Sequence, residues 1–330
     1  MSFSESTTPM KEARSSKASL SRIWDNFGMV VVFLILFIVC AIFVPNFASM
    51  INMTGLGLAI SMSGMVACGM LFCLASGDFD LSIASVIACS GVTTAVVMNQ
   101  TESVTLGIAA GLALGVVVGL INGFIIARLK INALITTLAT MQIVRGLAYI
   151  ISDGKAVGID AEGFYELGSA IFLGIPLPIW MTVFCFVLFG FLLNKTTFGR
   201  NTLAVGGNEE ASRLAGVPVV RTKIIIFTLS GLVSAAAGII LAARMTSGQP
   251  MTSVGFEMTV ISACVLGGVS LKGGIGKISY VISGVLILGT VENAMNLMNI
   301  SPFSQYVVRG LILLVAVIFD RYKQMAKTTV

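Results

Sequence analysis

An all-α integral membrane protein of about ten spans is the fold class this sequence predicts, and three observations predict it. Of 330 residues, 56% are hydrophobic and only 11% charged, with a mean hydropathy of +0.99, a balance suited to lipid rather than water. The apolar residues are gathered in runs, most of them near the ~20 residues a helix needs to cross the hydrocarbon. The basic residues are unevenly shared between alternate connections.

Residues 1–27 are rich in Ser, Lys and Glu, with no apolar run and no small-residue cleavage signature. They read as a polar tail, so the first span itself directs insertion. One membrane domain, 28–320, follows, with apolar segments at 28–44, 54–76, 81–98, 104–127, 132–152, 176–194, 223–244, 257–271, 279–297 and 304–320. A second polar tail occupies 321–330. With the N-terminus inside, the inner segments carry Lys11, Arg14, Lys17, Arg22, Arg128, Lys130, Lys195, Arg200, Arg213, Arg221, Lys223, Lys272, Lys277, Arg321, Lys323 and Lys327, against Lys155 alone in an outer loop. That asymmetry predicts both termini in the cytoplasm. The net charge of +5 is therefore a topology signal and not the mark of a nucleic acid partner. Ten spans divide into two five-helix halves that enter the membrane in opposite senses, the inverted repeat common among transporters.

In the fourth segment Gly107, Gly111, Gly115, Gly119 and Gly123 recur every four residues. Helical residues four apart share a face, so this ridge admits a neighbouring backbone and places the helix inside a bundle. Gly231, Ser234, Ala235 and Gly238 repeat the idea in the seventh segment.

The absence of histidine removes a histidine proton shuttle, a Ser-His triad and the usual zinc chemistries. Cys40, Cys68, Cys73, Cys89, Cys185 and Cys264 lie in apolar runs without a Cys-x-x-Cys pair and read as small buried hydrophobes, so no metal site is expected. The glycine-rich LGGVSLKGGIGK at 266–277 is not a phosphate loop, because Leu271 stands where the first glycine should be and Ile278 replaces the hydroxyl. It reads as a tight turn with Lys272 and Lys277 at the headgroups.

Ionisable groups inside a bilayer are costly, which makes Asp78, Asp80, Arg145, Glu257, Glu292, with Asn293 beside it, and Arg309 candidate path or gate residues. Gln142, Gln249 and Asn296 add hydrogen-bonding capacity suited to a neutral polyol. Asp78 and Asp80 in SGDFDLS have two readings: a helix break lining an aqueous path, or a short inner turn in which Asp80 or Ser82 caps the next helix.

The longest inner loop, 195–222, holds a short helix with Asn208 as N-cap, Glu209 and Glu210 in its first turn, and Gly216 with Pro218 as its stop. About two turns of helix are marginal in water, so this one must dock, through Ala211, Leu214 and Ala215. Its seat is either the protein's own inner surface or a cleft on a soluble partner.

AVGGNEEASRLAGV, with TTFGR before it, LGGVSLKGGIGKI after it and SGDFDLS following the second span, resembles the permease subunits of the ribose, galactose and arabinose class of bacterial ATP-driven (ABC) sugar importers. The resemblance runs from PNF at 45–47 to VAVIFDRYKQ. It implies a multi-pass inner-membrane permease that translocates a monosaccharide, with no cofactor in this chain and ATP held by a partner. The implied partners are a second permease copy forming a homodimer, a cytoplasmic ATPase subunit with two fused nucleotide-binding domains, and a periplasmic sugar-binding protein. It also implies that residues 207–216 form the coupling helix, with Gly207, Asn208, Glu209, Glu210, Arg213, Leu214 and Gly216 carrying contact with the ATPase. Two rival readings stand on residues alone: a proton-coupled secondary sugar transporter using the carboxylates, and an intramembrane enzyme, disfavoured by the missing nucleophile-base signature.

Overall fold

A computed structural model describes residues 28–161 and 163–328; the tail 1–27, with Lys11, Arg14, Lys17 and Arg22, lies outside the described residues. The described residues are mostly helical: α1 Gly28–Phe43, α2 Met50–Ala75, α3 Ile83–Thr101, α4 Val104–Arg128, α5 Ala133–Ser152, α6 Glu166–Ser169, α7 Leu177–Lys195, α8 Thr197–Gly207, α9 Glu209–Leu214, α10 Val219–Met245, α11 Phe256–Gly267, α12 Ile278–Leu297 and α13 Pro302–Thr328. Seven of these (α2, α3, α4, α5, α7, α10 and α12) are long and apolar enough to cross a membrane, and α1, α11 and α13 hold shorter apolar stretches. Two-residue strands decorate one end: β1 Val157–Gly158 pairs antiparallel with β4 Ser247–Gly248, and β2 Ile171–Phe172 forms a hairpin with β3 Ile175–Pro176.

Short polar residues start the helices. Ser49, Ser103, Asn132, Thr196 and Asn208 each accept a backbone N–H from the first turn of α2, α4, α5, α8 and α9, closing donors that hydrocarbon cannot satisfy. The bundle is built around α10, which packs on α2, α3 and α4. The glycine ridge makes that possible. A Cβ added at Gly115 would strike the Gly231 carbonyl, one at Gly119 the Phe227 carbonyl, and one at Gly123 would lie 2.7 Å from the Ile224 Cα. Gly107 does the same against α3, where a Cβ would lie 2.8 Å from the Thr94 carbonyl. Reciprocally, Gly231 admits the Gly115 carbonyl and Gly238 the Ile87 carbonyl. Lipid tails give helices no hydrophobic reason to associate, so contact of this closeness is what the bundle gains from packing. All six cysteines are buried and free, as small hydrophobes.

The structure departs from the sequence reading in four places. Ser49 caps α2, so that helix begins at Met50 instead of residue 54. The segment expected over 257–271 is helical only to Gly267, because Gly268 at φ +113° turns the chain away. At about 1.5 Å per residue its 12 residues span about 18 Å, less than a membrane's hydrocarbon. The loop 195–222 is largely helix: α8 precedes the expected short helix, and α10 starts at Val219 instead of 223. Glycines at 199, 206 and 207 masked α8 from propensity, while the Thr196 cap and an apolar contact face form it. The chain from 321 onward is not a separate element in its backbone, since α13 continues to Thr328.

Gly115→Val is expected to force α4 off α10 and cost about 1–3 kcal/mol. Gly146→Ala on α5, where an added Cβ meets nothing within 4 Å, should stay within about 0.5 kcal/mol of the parent. Thermal unfolding in detergent measures both, and equal loss in the two variants would remove the ridge from the account.

Candidate functional site

The polar residues inside this apolar bundle form two groups at its two ends. At one end lies α9. Asn208, extended at φ −162° and ψ 106°, both ends α8 and starts α9, its Oδ1 accepting the Ala211 N–H at 2.9 Å. The C-terminus closes with Gly216 at φ +84°, Val217 N donating to the Ser212 carbonyl and Gly216 N to the Arg213 carbonyl. On its surface Arg213 Nε donates to Glu210 Oε2 at 3.2 Å, and this bond and charge hold the Glu210 carboxyl below its ordinary range. Only Ser212 in this helix is buried; Ala211, Leu214 and Ala215 are exposed, Leu214 by 79%.

Lys223, in the second turn of α10, pairs with α9. Its ammonium lies 2.8 Å from Glu209 and 3.0 Å from Asp78, and its side chain is 9% exposed. Asp78 and Asp80 occupy the turn between α2 and α3. Asp80 is 1% exposed and accepts the Ser82 N–H at 3.0 Å and the Ser82 hydroxyl on Oδ1, and the Ser230 hydroxyl on Oδ2 at 2.7 Å. Asn122 of α4 donates to Ser82 Oγ at 3.0 Å and accepts from Thr140 of α5 at 2.7 Å. In SGDFDLS, Asp80 bonds Ser82 just before α3, while no side-chain hydrogen bond caps α3 itself. The glycine-rich loop after α11 closes the same end, Gly274 N donating to the Ala75 carbonyl at 2.9 Å, with Gly273 packed on Gly206.

At the opposite end a cavity of about 140 Å³ opens between α2, α11, α12 and α13. Glu292, Asn293, Asn296, Arg309, Ser63 and Thr259 supply its polar wall. Arg309 and Glu292 form an ion pair at 3.1 Å whose N–H does not line up as a hydrogen bond. The Arg309 guanidinium also sits 4.8 Å over the Tyr306 ring and donates to Thr259 Oγ1 at 3.4 Å. Asn52 and Asn293 exchange two side-chain hydrogen bonds of 2.8 Å, tying α2 to α12. With a water's share of the liquid near 30 Å³, this cavity takes roughly four waters or one small polyol.

Of the predicted path residues, Glu292 and Asn293 are thus brought together with Arg309. Arg145 stands apart on α5, donating to the Pro250 and Thr252 carbonyls at 2.7 and 2.8 Å and so bracing the segment before α11. Glu257 lies buried in the first turn of α11, and its Oε2 has no hydrogen-bond partner among the described residues. Asp78 and Asp80 belong to the α9 end. Gln249 bonds Ser247 at 3.0 Å, and Gln142 is exposed. Sequence reasoning missed Lys223 as a site residue, counting it only as an inner charge, and missed Asn122 and Ser230. One signal was available: Asn122 is the sole amide in α4, set between Gly119 and Gly123 in an otherwise apolar segment.

Residues 50–317 match the family model described as branched-chain amino acid transport system / permease component. Among curated relatives, the L-arabinose transport system permease protein of Escherichia coli (strain K12) is 79% identical over 328 residues, 99% of this chain and 100% of the relative. The L-arabinose ABC transporter permease protein of Azospirillum brasilense is 52% identical over 322 residues, 96% and 95% of the two chains. The ribose import permease protein of Bacillus subtilis (strain 168) is 40% identical over 318 residues, 96% and 99%. These matches bear out the resemblance drawn from AVGGNEEASRLAGV and SGDFDLS. No solved structure matches the chain.

Arg309→Gln leaves the Glu292 carboxylate without its counter-ion. The expected cost is about 1–3 kcal/mol, below the roughly 3–5 kcal/mol of a fully dry pair because both side chains keep some exposure. Adding Glu292→Gln should recover about 0.5–3 kcal/mol of that loss in a denaturation double-mutant cycle. Strictly additive losses would mean that the two groups do not interact.

Proposed function

We propose, from the premise that this chain belongs to the branched-chain amino acid transport system / permease component family, that it is the membrane subunit of an ATP-driven importer carrying L-arabinose across the bacterial inner membrane. The sugar assignment rests on the relatives named for L-arabinose and on their near-complete coverage. The chain is a transport subunit and not an enzyme. ATP sits on a separate cytoplasmic ATPase with two fused nucleotide-binding domains, a periplasmic binding protein delivers the sugar, and two copies of the permease form the pore. In this reading the α9 end is cytoplasmic, as are both termini. Ten spans, counting α1, α11 and α13, are arranged as two inverted halves, with α11 as a helix of partial depth.

The observation that carries the ATPase assignment is Leu214. A two-turn helix is capped at both ends and held by Glu209 to a buried lysine, yet it turns Ala211, Leu214 and Ala215 outward. Its own bundle therefore does not fill the docking face that so short a helix needs. A cleft on the ATPase fits it. Gly207 and Gly216 free the chain on either side, and Asn208, Glu209, Glu210 and Arg213 give the helix a polar rim.

For the path, the Glu292–Arg309 cavity with Asn293 is the best supported contact for a neutral polyol, because its charges are already paired and its wall adds the amides of Asn293 and Asn296 and the hydroxyls of Ser63 and Thr259. Glu257 and Arg145, which lie outside that cavity near the start of α11, stay as further candidates for the path. Loaded binding protein and ATP-bound ATPase each prefer one state of the pore, and only that differential affinity moves it between outward and inward forms. The proton-coupled alternative is weakened by the pairing of Asp78 with Lys223 and of Glu292 with Arg309, which gives two of its four carboxylates a fixed counter-charge.

Vesicles containing the permease and the ATPase are expected to accumulate L-arabinose only with ATP and binding protein present. Uptake by this chain alone on a pH gradient would overturn the assignment. Leu214→Asp should leave membrane insertion intact and abolish co-purification of the ATPase; undiminished co-purification would remove α9 as the contact.

A further inference from the structure

Among the described residues, one charged side chain of the bundle pairs with the coupling helix, and that side chain has a second partner. Lys223 Nζ joins Glu209 Oε2 of α9 at 2.8 Å to Asp78 Oδ2 of the α2–α3 turn at 3.0 Å. The two arms are unlike. The lysine and Asp78 side chains are nearly enclosed, at 9% and 12% exposure, whereas Glu209 is 52% exposed. A buried ammonium between two carboxylates cannot lose both without standing uncompensated in an apolar interior. The enclosed arm therefore stays, and the exposed arm is the one that a moving α9 can make or break.

The α2–α3 turn is in turn wired inward. Two residues beyond Asp78, Asp80 holds Ser82 on one oxygen and Ser230 of α10 on the other, and Ser82 passes the contact to Asn122 of α4 and Thr140 of α5. Each of these groups is buried, and replacing any of them strands a partner. The backbone packing at this end is equally close: a Cβ at Gly206 would collide with the Ala75 carbonyl that ends α2. A displacement of α9 thus has a route through one lysine to Asp78, along two residues of backbone to Asp80, and by that residue's hydrogen bonds to the helices around it.

We propose that Lys223 is the positioning residue that transmits the state of the ATPase-facing helix to the α2–α3 turn, through a Glu209–Lys223–Asp78 ion triad whose outer arm is made in one transport state and released in the other. This rests on the reading of α9 as the coupling helix, and the test separates the two. It uses the full importer, with the permease, ATPase and binding protein together in lipid vesicles. It reads three things: co-purification of the ATPase, basal ATP hydrolysis, and the stimulation of hydrolysis and L-arabinose uptake by loaded binding protein. Lys223→Met should retain co-purification and basal hydrolysis within about a factor of two, yet lose about tenfold in stimulation and uptake. Lys223→Arg, which can still bridge two carboxylates, should recover most of that loss.

Where Lys223→Met fails to fold, Glu209→Gln removes only the exposed arm and leaves the enclosed pair. It should lower stimulation by about fivefold, and in the Lys223→Arg background by a similar factor. Unchanged stimulation in Lys223→Met, or in Glu209→Gln, would overturn the proposal. So would loss of ATPase co-purification in Lys223→Met, since the lysine would then merely hold α9 in place. Failure of the unmodified chain to co-purify with the ATPase would instead sink the coupling reading beneath it.

Discussion

Where the Gly115 carbonyl meets Gly231, two helices touch through their backbones, and any side chain at either position would part them. The constraint comes from the solvent. In lipid, burying a leucine gains little, so a bundle holds together by closeness of approach and by hydrogen bonds between helices. Glycines every fourth residue along α4 set α10 against it, and α10 then organises α2 and α3 around itself. The Asp80 cluster, with Ser230 of α10 and Asn122 of α4, lies between helices that this contact brings together.

Those clusters obey a second rule, that charge inside a bundle is kept with an opposite charge or with hydroxyls and amides. Asp78 has Lys223, Glu292 has Arg309, and Asp80 has two serines. Asn52 and Asn293 satisfy each other. The distribution is uneven in a telling way. At the α9 end the polar groups are paired with one another and tightly packed. At the opposite end they surround a cavity, where the Glu292–Arg309 ion pair is not closed by an aligned hydrogen bond. The ion pairs at both ends also explain why a chain with carboxylates at membrane depth need not be a proton carrier.

Much of this was legible in the residues. The caps at Asn208 and the stop at Gly216 were visible because side-chain oxygens and a left-handed glycine are local requirements, independent of what packs nearby. The glycine ridge was visible because a helical period of four is printed in the sequence. α8 was not, since three glycines lower its intrinsic propensity and the packing of its buried face against neighbouring helices outweighs them. The early end of α11 was hidden for the opposite reason: the chain stays apolar past Gly267, and only the φ of Gly268 reveals the turn.

The sequence by itself determined that the chain lives in lipid, where its long apolar helices fall, which helix carries a backbone-close face, and that a capped charged helix interrupts the apolar run. These follow from composition and from periods of a few residues, which need no fold to be read. Only the tertiary structure decided that Lys223 lies between Glu209 and Asp78, that Asn122 completes the Asp80 cluster, and that Arg309 belongs to Glu292. Partners separated by 14 to 145 residues in the chain meet only once helices have packed, and no local pattern encodes which charge will face which.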